Sequence, residues 1–122
     1  MSFYDVLRRF ELLSSLQGKD LSRYQELCKE AQEDMKSRLK VPLNSLSDSK
    51  KLRLAYAAGA LAFYKYCLII SATEPESFSA GEVKVTEGGS KADAAKRLFE
   101  EELRGLSDVL SDDSFYFGRV RA

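Results

Sequence analysis

The 122-residue chain contains no histidine, and its nineteen basic residues are cancelled by nineteen acidic ones. Without histidine it lacks the commonest general base of enzymes and the commonest metal ligand of proteins. A net charge of zero provides no overall field to hold nucleic acid or an anionic membrane. We therefore predict a protein that is not an enzyme and that needs neither a metal nor a cofactor.

Cysteine is also scarce. Cys28 and Cys67 are the only two, they lie far apart, and neither belongs to a CxxC motif. This spacing does not fit a zinc site, and both fall among apolar helical positions, so we predict buried free thiols. Few cysteines and no secretory pattern at the N-terminus predict synthesis in a reducing cytoplasm.

The longest apolar run is 52–70, LRLAYAAGALAFYKYCLII. It has no alternation of period two, so it predicts a helix that is apolar around nearly its whole circumference and covered by other helices. Gly59 is costly inside a helix, which suggests that close packing requires it. A membrane span is the alternative. The charges of Arg53 and Lys65 and the absence of a second such run favour a core helix.

Three other stretches repeat apolar residues every three or four positions, which predicts amphipathic helices. The central helix is expected to open at Ser47 or Asp48 and to end near Ser71. We predict an all-α fold over 1–122: one four-helix bundle-like domain with a long loop at 72–89 and an extended tail at 111–122. The first of the other three helices is predicted over 3–13, with Gly18 at its exit. The second is predicted over 21–39, opened by Asp20 or Ser22 and stopped at Pro42. The last is predicted over 90–110, with a bend at Gly105.

The loop at 72–89 is longer than most loops of compact domains. Residues 82–86, EVKVT, alternate polar and apolar as a half-exposed strand does. One strand cannot satisfy its own backbone, so it needs a hairpin partner within the loop or a strand from another subunit. Chance alternation in an irregular loop is the alternative. For pairing between subunits we select Phe78, Gly81, Val83 and Val85.

Three consecutive aromatic residues occupy the tail at 111–122. Disordered tails are poor in aromatic residues, so this one is expected to dock. Docking onto the chain's own helices and docking onto a partner are equally compatible with the pattern. For partner docking we select Phe115, Tyr116, Phe117 and Arg119.

A local basic cluster flanks the turn before the central helix and is opposed within its span only by Asp48. It can form one basic end of the bundle that faces DNA non-specifically or faces a partner protein. Alternatively, it stabilises the dipole at the C-terminus of the second helix. The cluster consists of Lys36, Arg38, Lys40, Lys50, Lys51 and Arg53.

Residues 52–120 resemble the head–tail connector (adaptor) proteins of tailed bacteriophages and prophages. In that family an Ala- and Tyr-rich helix leads into a motif like SFSAGEVKVT, followed by a polar turn, a helix and a short aromatic segment. The order of these parts carries most of the resemblance, whereas residues 3–40 match no motif of the family. The matching motif positions are Ser77, Phe78, Gly81, Glu82, Val83, Val85 and Thr86.

The resemblance implies a structural protein of the virion neck, made in the bacterial cytoplasm. Such proteins form a ring, commonly twelve-fold, between the portal protein and a tail-side completion or terminator protein. The loop and a terminal segment are used in their contacts, and DNA passes through the ring without specific binding. A neighbouring head-completion or tail-like-particle protein remains possible on this pattern.

Two other classes are compatible with the residues alone. One is a cytoplasmic helical interaction module, such as a regulator or an assembly chaperone. The other is a helical protein that associates with DNA through the basic cluster. No membrane partner is expected in any of the three.

Overall fold

The computed structural model describes residues 1–73 and 91–111, and these residues are predominantly helical. Within those two ranges there is no strand, and one isolated antiparallel bridge joins Leu39 to Leu110. The prediction of an all-α fold is confirmed. The helices are α1 (Phe3–Ser14), α2 (Gly18–Arg23), α3 (Gln25–Ser37), a 3-10 helix (Leu43–Ser45), α4 (Asp48–Thr73) and α5 (Lys91–Arg104).

The central element is α4, against which α1, α3 and α5 all pack. Its side chains are buried along most of its middle, 54–62, among them Leu54 and Leu61. By length and composition α4 is also apolar enough to cross a bilayer, a property that core helices of soluble proteins share. The predicted packing of other helices around this run is confirmed.

α1 crosses α4 at Gly59. A Cβ atom at this glycine would lie 2.7 Å from Cβ and Cγ of Arg9 and 3.1 Å from the carbonyl oxygen of Val6. The guanidinium of Arg9 then lies over the Tyr56 ring, 3.8 Å from its centroid. The glycine is therefore needed for the close approach of two helix backbones, as the sequence predicted.

The single helix predicted over 21–39 is wrong, because the structure divides it into α2 and α3 at Tyr24. Tyr24 has φ −108° and ψ 15°. Its ring lies 4.9 Å from that of Tyr66 and 6.4 Å from that of Phe10, measured between centroids. A tertiary aromatic cluster thus holds the break, whereas the apolar seam of α3 remains buried at Cys28 and Met35.

Two other predicted helix ends are also corrected. The left-handed residue that closes α1 is Ser15, with φ 65°, whereas Gly18, with φ 59°, opens α2. α5 ends at Arg104 and does not bend at Gly105. The apolar pattern continues past this end because the following turns also bury Leu106 and Leu110 in the core. The predicted start of α4 is confirmed, since the Ser47 hydroxyl accepts the Lys50 N–H at 3.2 Å.

Both thiols are free and buried, as predicted. Burial raises the pKa of Cys28 to about 12 and that of Cys67 to about 11. Thiols with such pKa values hold almost no thiolate near neutral pH, and the thiolate is the reactive form.

We expect Gly59→Ala to destabilise the fold. The added methyl gains about 1 kcal/mol of helix propensity. The overpacking against α1 is expected to outweigh this gain and to leave a net loss of about 1–2 kcal/mol in the free energy of unfolding. Urea denaturation followed by circular dichroism measures the loss. The matched control is Gly105→Ala, where the new Cβ would be too close only to the movable end of Arg53 and would make an ordinary contact with the Glu102 carbonyl, so stability should change by less than about 0.5 kcal/mol. Equal effects of both variants would contradict the packing role of Gly59.

We also expect both thiols to resist a disulfide reagent at pH 8. Labelling of the native chain should be at least about 100-fold slower than labelling of the urea-unfolded chain, since burial suppresses both access and ionisation. The unfolded chain, which should release two equivalents, is the control. Rapid labelling of either thiol in native buffer would show that the site is accessible.

Candidate functional site

Of the three predicted contact sites, only the basic cluster lies within the described residues. The predicted loop residues Phe78, Gly81, Val83 and Val85 lie outside them, as do the predicted tail residues Phe115, Tyr116, Phe117 and Arg119. The described residues do show where the segments that carry them are attached.

The loop and the tail are attached at opposite ends of α4. The helices α4 and α5 run antiparallel, because Lys50 near the start of α4 reaches Gly105 after the end of α5. At the other end, Cys67 packs with Ala92 and Ala95. Residues 73 and 91, which border the loop, therefore lie at the C-terminal end of α4. Ser111, which precedes the tail, comes after α5 has returned to the N-terminal end of α4. The 26 residues of α4 span about 39 Å between these ends.

The residue before the tail is held by a short backbone pairing that the sequence did not predict. The Ser111 N–H donates to the Arg38 carbonyl at 2.9 Å, and the Lys40 N–H donates to the Val109 carbonyl at 3.0 Å. The available signal in the sequence was a leucine at the end of each of two predicted helices, Leu39 in one and Leu110 in the other. This pairing places the start of the tail beside the basic cluster.

Two members of the basic cluster are neutralised on their own helix. Lys36 pairs with Glu33 at 3.4 Å, and Arg38 pairs with Asp34 at 3.3 Å. Arg38 is the less accessible of the two, and its guanidinium lies 5.5 Å from the centroid of the Phe99 ring. Arg38 thus helps to hold α3 against α5.

Lys50 closes the C-terminal end of α5. Its ammonium donates to the Gly105 carbonyl at 3.1 Å and to Asp108 Oδ1 at 2.8 Å. A cation at a helix C-terminus satisfies unpaired carbonyls and opposes the negative end of the dipole. The hydrogen bond from Lys50 is the main reason that the pKa of Asp108 lies below its ordinary value. The structural role weighed for this cluster therefore applies to Lys50 at the end of α5, and Lys36 lies in the last turn of α3, the helix end for which that role was considered.

The remaining three cations, Lys40, Lys51 and Arg53, form no ion pair within 4.0 Å of a carboxylate of the described residues. Lys40 nevertheless lies near enough to Asp108 to help lower the pKa of that carboxyl. Lys40 and Arg53 are exposed, and Lys51 is half-buried. They can attract an anionic surface, but cations on separate flexible side chains do not create a specific site. The part of the cluster that is available to a partner is thus half of what the sequence indicated.

The described residues contain no group of three or more His, Cys, Asp or Glu side chains that could hold a metal ion. The prediction that the protein is not an enzyme stays a prediction. No protein-family model, curated protein or solved structure matches the chain. The resemblance of residues 52–120 to connector proteins likewise stays a prediction.

We expect Lys50→Met to return the pKa of Asp108 toward its ordinary value. A carboxyl with a lowered pKa contributes stability that is present at neutral pH and is lost as pH falls through the folded-state pKa. The variant should therefore lose this part of the acid dependence of stability. Carbon-13 NMR titration of the Asp108 carboxyl measures the shift. Lys51→Met is the control, and an unchanged Asp108 titration in Lys50→Met would contradict the assigned contact.

Proposed function

We propose that this protein is a structural virion protein, a head–tail connector subunit that assembles into a ring between portal and tail. The observation that carries the proposal is the attachment of the two sequence-predicted contact segments at opposite ends of one helical core. A ring subunit needs such separation, because it meets its neighbours and its axial partners through different surfaces.

The core is suited to holding those ends apart. α4 is continuous over about 39 Å and is packed by α1, α3 and α5. Because a packed helix resists bending, a partner bound at one end keeps a fixed distance from a partner bound at the other. This geometry supports an adaptor role better than a role in which both segments share one peptide site.

The loop at 72–89 is proposed to add a strand to a neighbouring subunit. In this proposal Val83 and Val85 point to the same face of that strand, since side chains alternate. Gly81 permits close backbone approach, and Phe78 packs beside the strand. Backbone hydrogen bonds give such pairing its affinity, and the alternate side chains give it register.

The tail at 111–122 is proposed to dock on the portal protein or on the tail-side completion or terminator protein. Phe115 and Phe117 would supply one apolar face and Tyr116 the other, with Arg119 as a charged anchor. Aromatic and arginine side chains dominate the binding energy of many interfaces. The pairing of Ser111 with Arg38 fixes the point from which this tail departs.

The unpaired cations at the same end are proposed to face an acidic rim of the partner or DNA that passes through the ring. Lys40, Lys51 and Arg53 would contribute only long-range attraction that salt screens. The proposal requires no cofactor, no membrane and no specific reading of DNA.

The proposal predicts that a portal protein is encoded near this chain, and that protein is the partner used in the test. Co-expression should give a complex that light scattering and negative-stain microscopy resolve as a ring. Replacing Phe115, Tyr116 and Phe117 together by Ala should weaken capture of portal or of the tail-side protein at least about 100-fold, as loss of several interface anchors does.

The matched control replaces two exposed apolar residues of α1, Tyr4 and Leu12, by Ala, and it should leave capture unchanged. A chain that stays monomeric or dimeric and captures neither neighbour would point to a regulator and contradict the proposal. So would DNA affinity that falls steeply with salt and outweighs any protein binding.

A further inference from the structure

The first half of α4 has an open face between α1 and α5. Both helices pack on α4 but make few contacts with each other. α1 approaches through Arg9 at Gly59, and Arg53 of α4 lies against Gly105 at the end of α5. Between these contacts Leu52 remains 39% exposed and Tyr56 is half-buried. We call Arg9, Leu52, Arg53 and Tyr56 the groove face.

The groove face is basic as well as apolar. The guanidinium of Arg9 lies 3.8 Å from the centroid of the Tyr56 ring, which orients its donors. Neither Arg9 nor Arg53 forms an ion pair with a carboxylate in the described parts of the chain. Arginines beside an aromatic and an apolar side chain favour a partner that offers carboxylates from a regular surface.

α3 presents such a surface. Glu26, Glu30 and Glu33 follow one another at four and three residues, so they form one stripe along the helix. The stripe faces away from the buried seam of α3, and the side chains of Glu30 and Glu33 are 66% and 72% exposed. Their ion pairs with Lys65 and Lys36 are of the exposed kind that contributes little and can be exchanged. We call these three residues the acidic stripe.

The two surfaces lie on opposite sides of α4. Glu30 of α3 reaches Lys65 of α4 at 3.3 Å, which places α3 beside Lys65. Lys65 follows Tyr56 by nine residues, which at about 100° per residue is two and a half turns. The side of α4 covered by α3 is therefore opposite the groove face.

We propose that copies of this chain associate head to tail, with the acidic stripe of one copy against the groove face of the next. Complementary surfaces on opposite sides of one subunit create a heterologous contact, which closes into a ring when the rotation allows it. The inference rests on the proposed function, because it names the surfaces through which neighbouring subunits of the ring would touch. The proposed strand of the loop would add to this contact. It uses only residues of the described core.

The test uses the full chain in two variants, each with one altered surface. Variant A carries Glu26→Lys and Glu33→Lys, and variant B carries Arg53→Glu. Each variant alone should associate at least about 10-fold more weakly than the unaltered chain, since like charges then face each other. An equimolar mixture should regain association, because the intact groove face of variant A meets the intact acidic stripe of variant B and the two altered surfaces also carry opposite charges. Native mass spectrometry and sedimentation equilibrium measure both results.

Exposed charges on α2 provide matched controls. Asp20→Lys and Lys19→Glu should leave association unchanged, and thermal unfolding checks that every variant folds. Association of the unaltered chain should also weaken at least about 10-fold between 50 and 500 mM salt, because salt screens the pairing. A chain that stays monomeric at its highest soluble concentration overturns the proposal, as do unaffected variants or a mixture that associates no more tightly than each variant alone.

Failure of this contact and failure of the connector role give different results. Capture of the portal without any association between copies would overturn the lateral contact and leave the connector role intact. Association through these surfaces without capture of portal or tail protein would leave the contact intact and contradict the connector role.

Discussion

The structure depends on the burial of one predominantly apolar helix, α4, along its middle. At about 25 cal/mol per Å² of apolar surface, α4 is stable in water only when other helices cover it. α1, α3 and α5 cover it, and the cover is complete enough to bury Leu54, Ala58 and Leu61. Gly59 sets how closely α1 can approach, so one missing side chain controls the geometry of the whole first half.

The burial of α4 also fixes where the loop between α4 and α5 and the chain after α5 are attached to the core. Because α5 packs antiparallel to α4, the loop that joins them begins and ends at one end of the core. The chain beyond α5 leaves from the other end, after the pairing of Ser111 with Arg38. The described residues that border these two segments thus lie at opposite ends of α4, and their separation follows from helix length and direction alone.

The sequence predicted what depends on periodicity and missed what depends on tertiary contact. The run around Gly59 indicated a covered helix, and the Ser47 cap marked its start. The break at Tyr24 could not be predicted, because the residues on both sides keep helical spacing and the ring cluster with Phe10 is non-local. For the same reason the basic cluster was overestimated: the partner of Lys50 is Asp108, which lies 58 residues away.

A net charge of zero proves to be a poor guide to the surface. Uniform mixing of nineteen cations and nineteen anions would neutralise every face, but ion pairing among the described residues is uneven. Arg9, which lies over the Tyr56 ring, and Arg53 form no ion pair within the described residues. Glu30 and Glu33 lie exposed on α3, where they pair with Lys65 and Lys36. A neutral subunit with separated charges attracts its own copies in one orientation, whereas a subunit with a large net charge repels them in all orientations. A net charge of zero is therefore compatible with ordered association of copies.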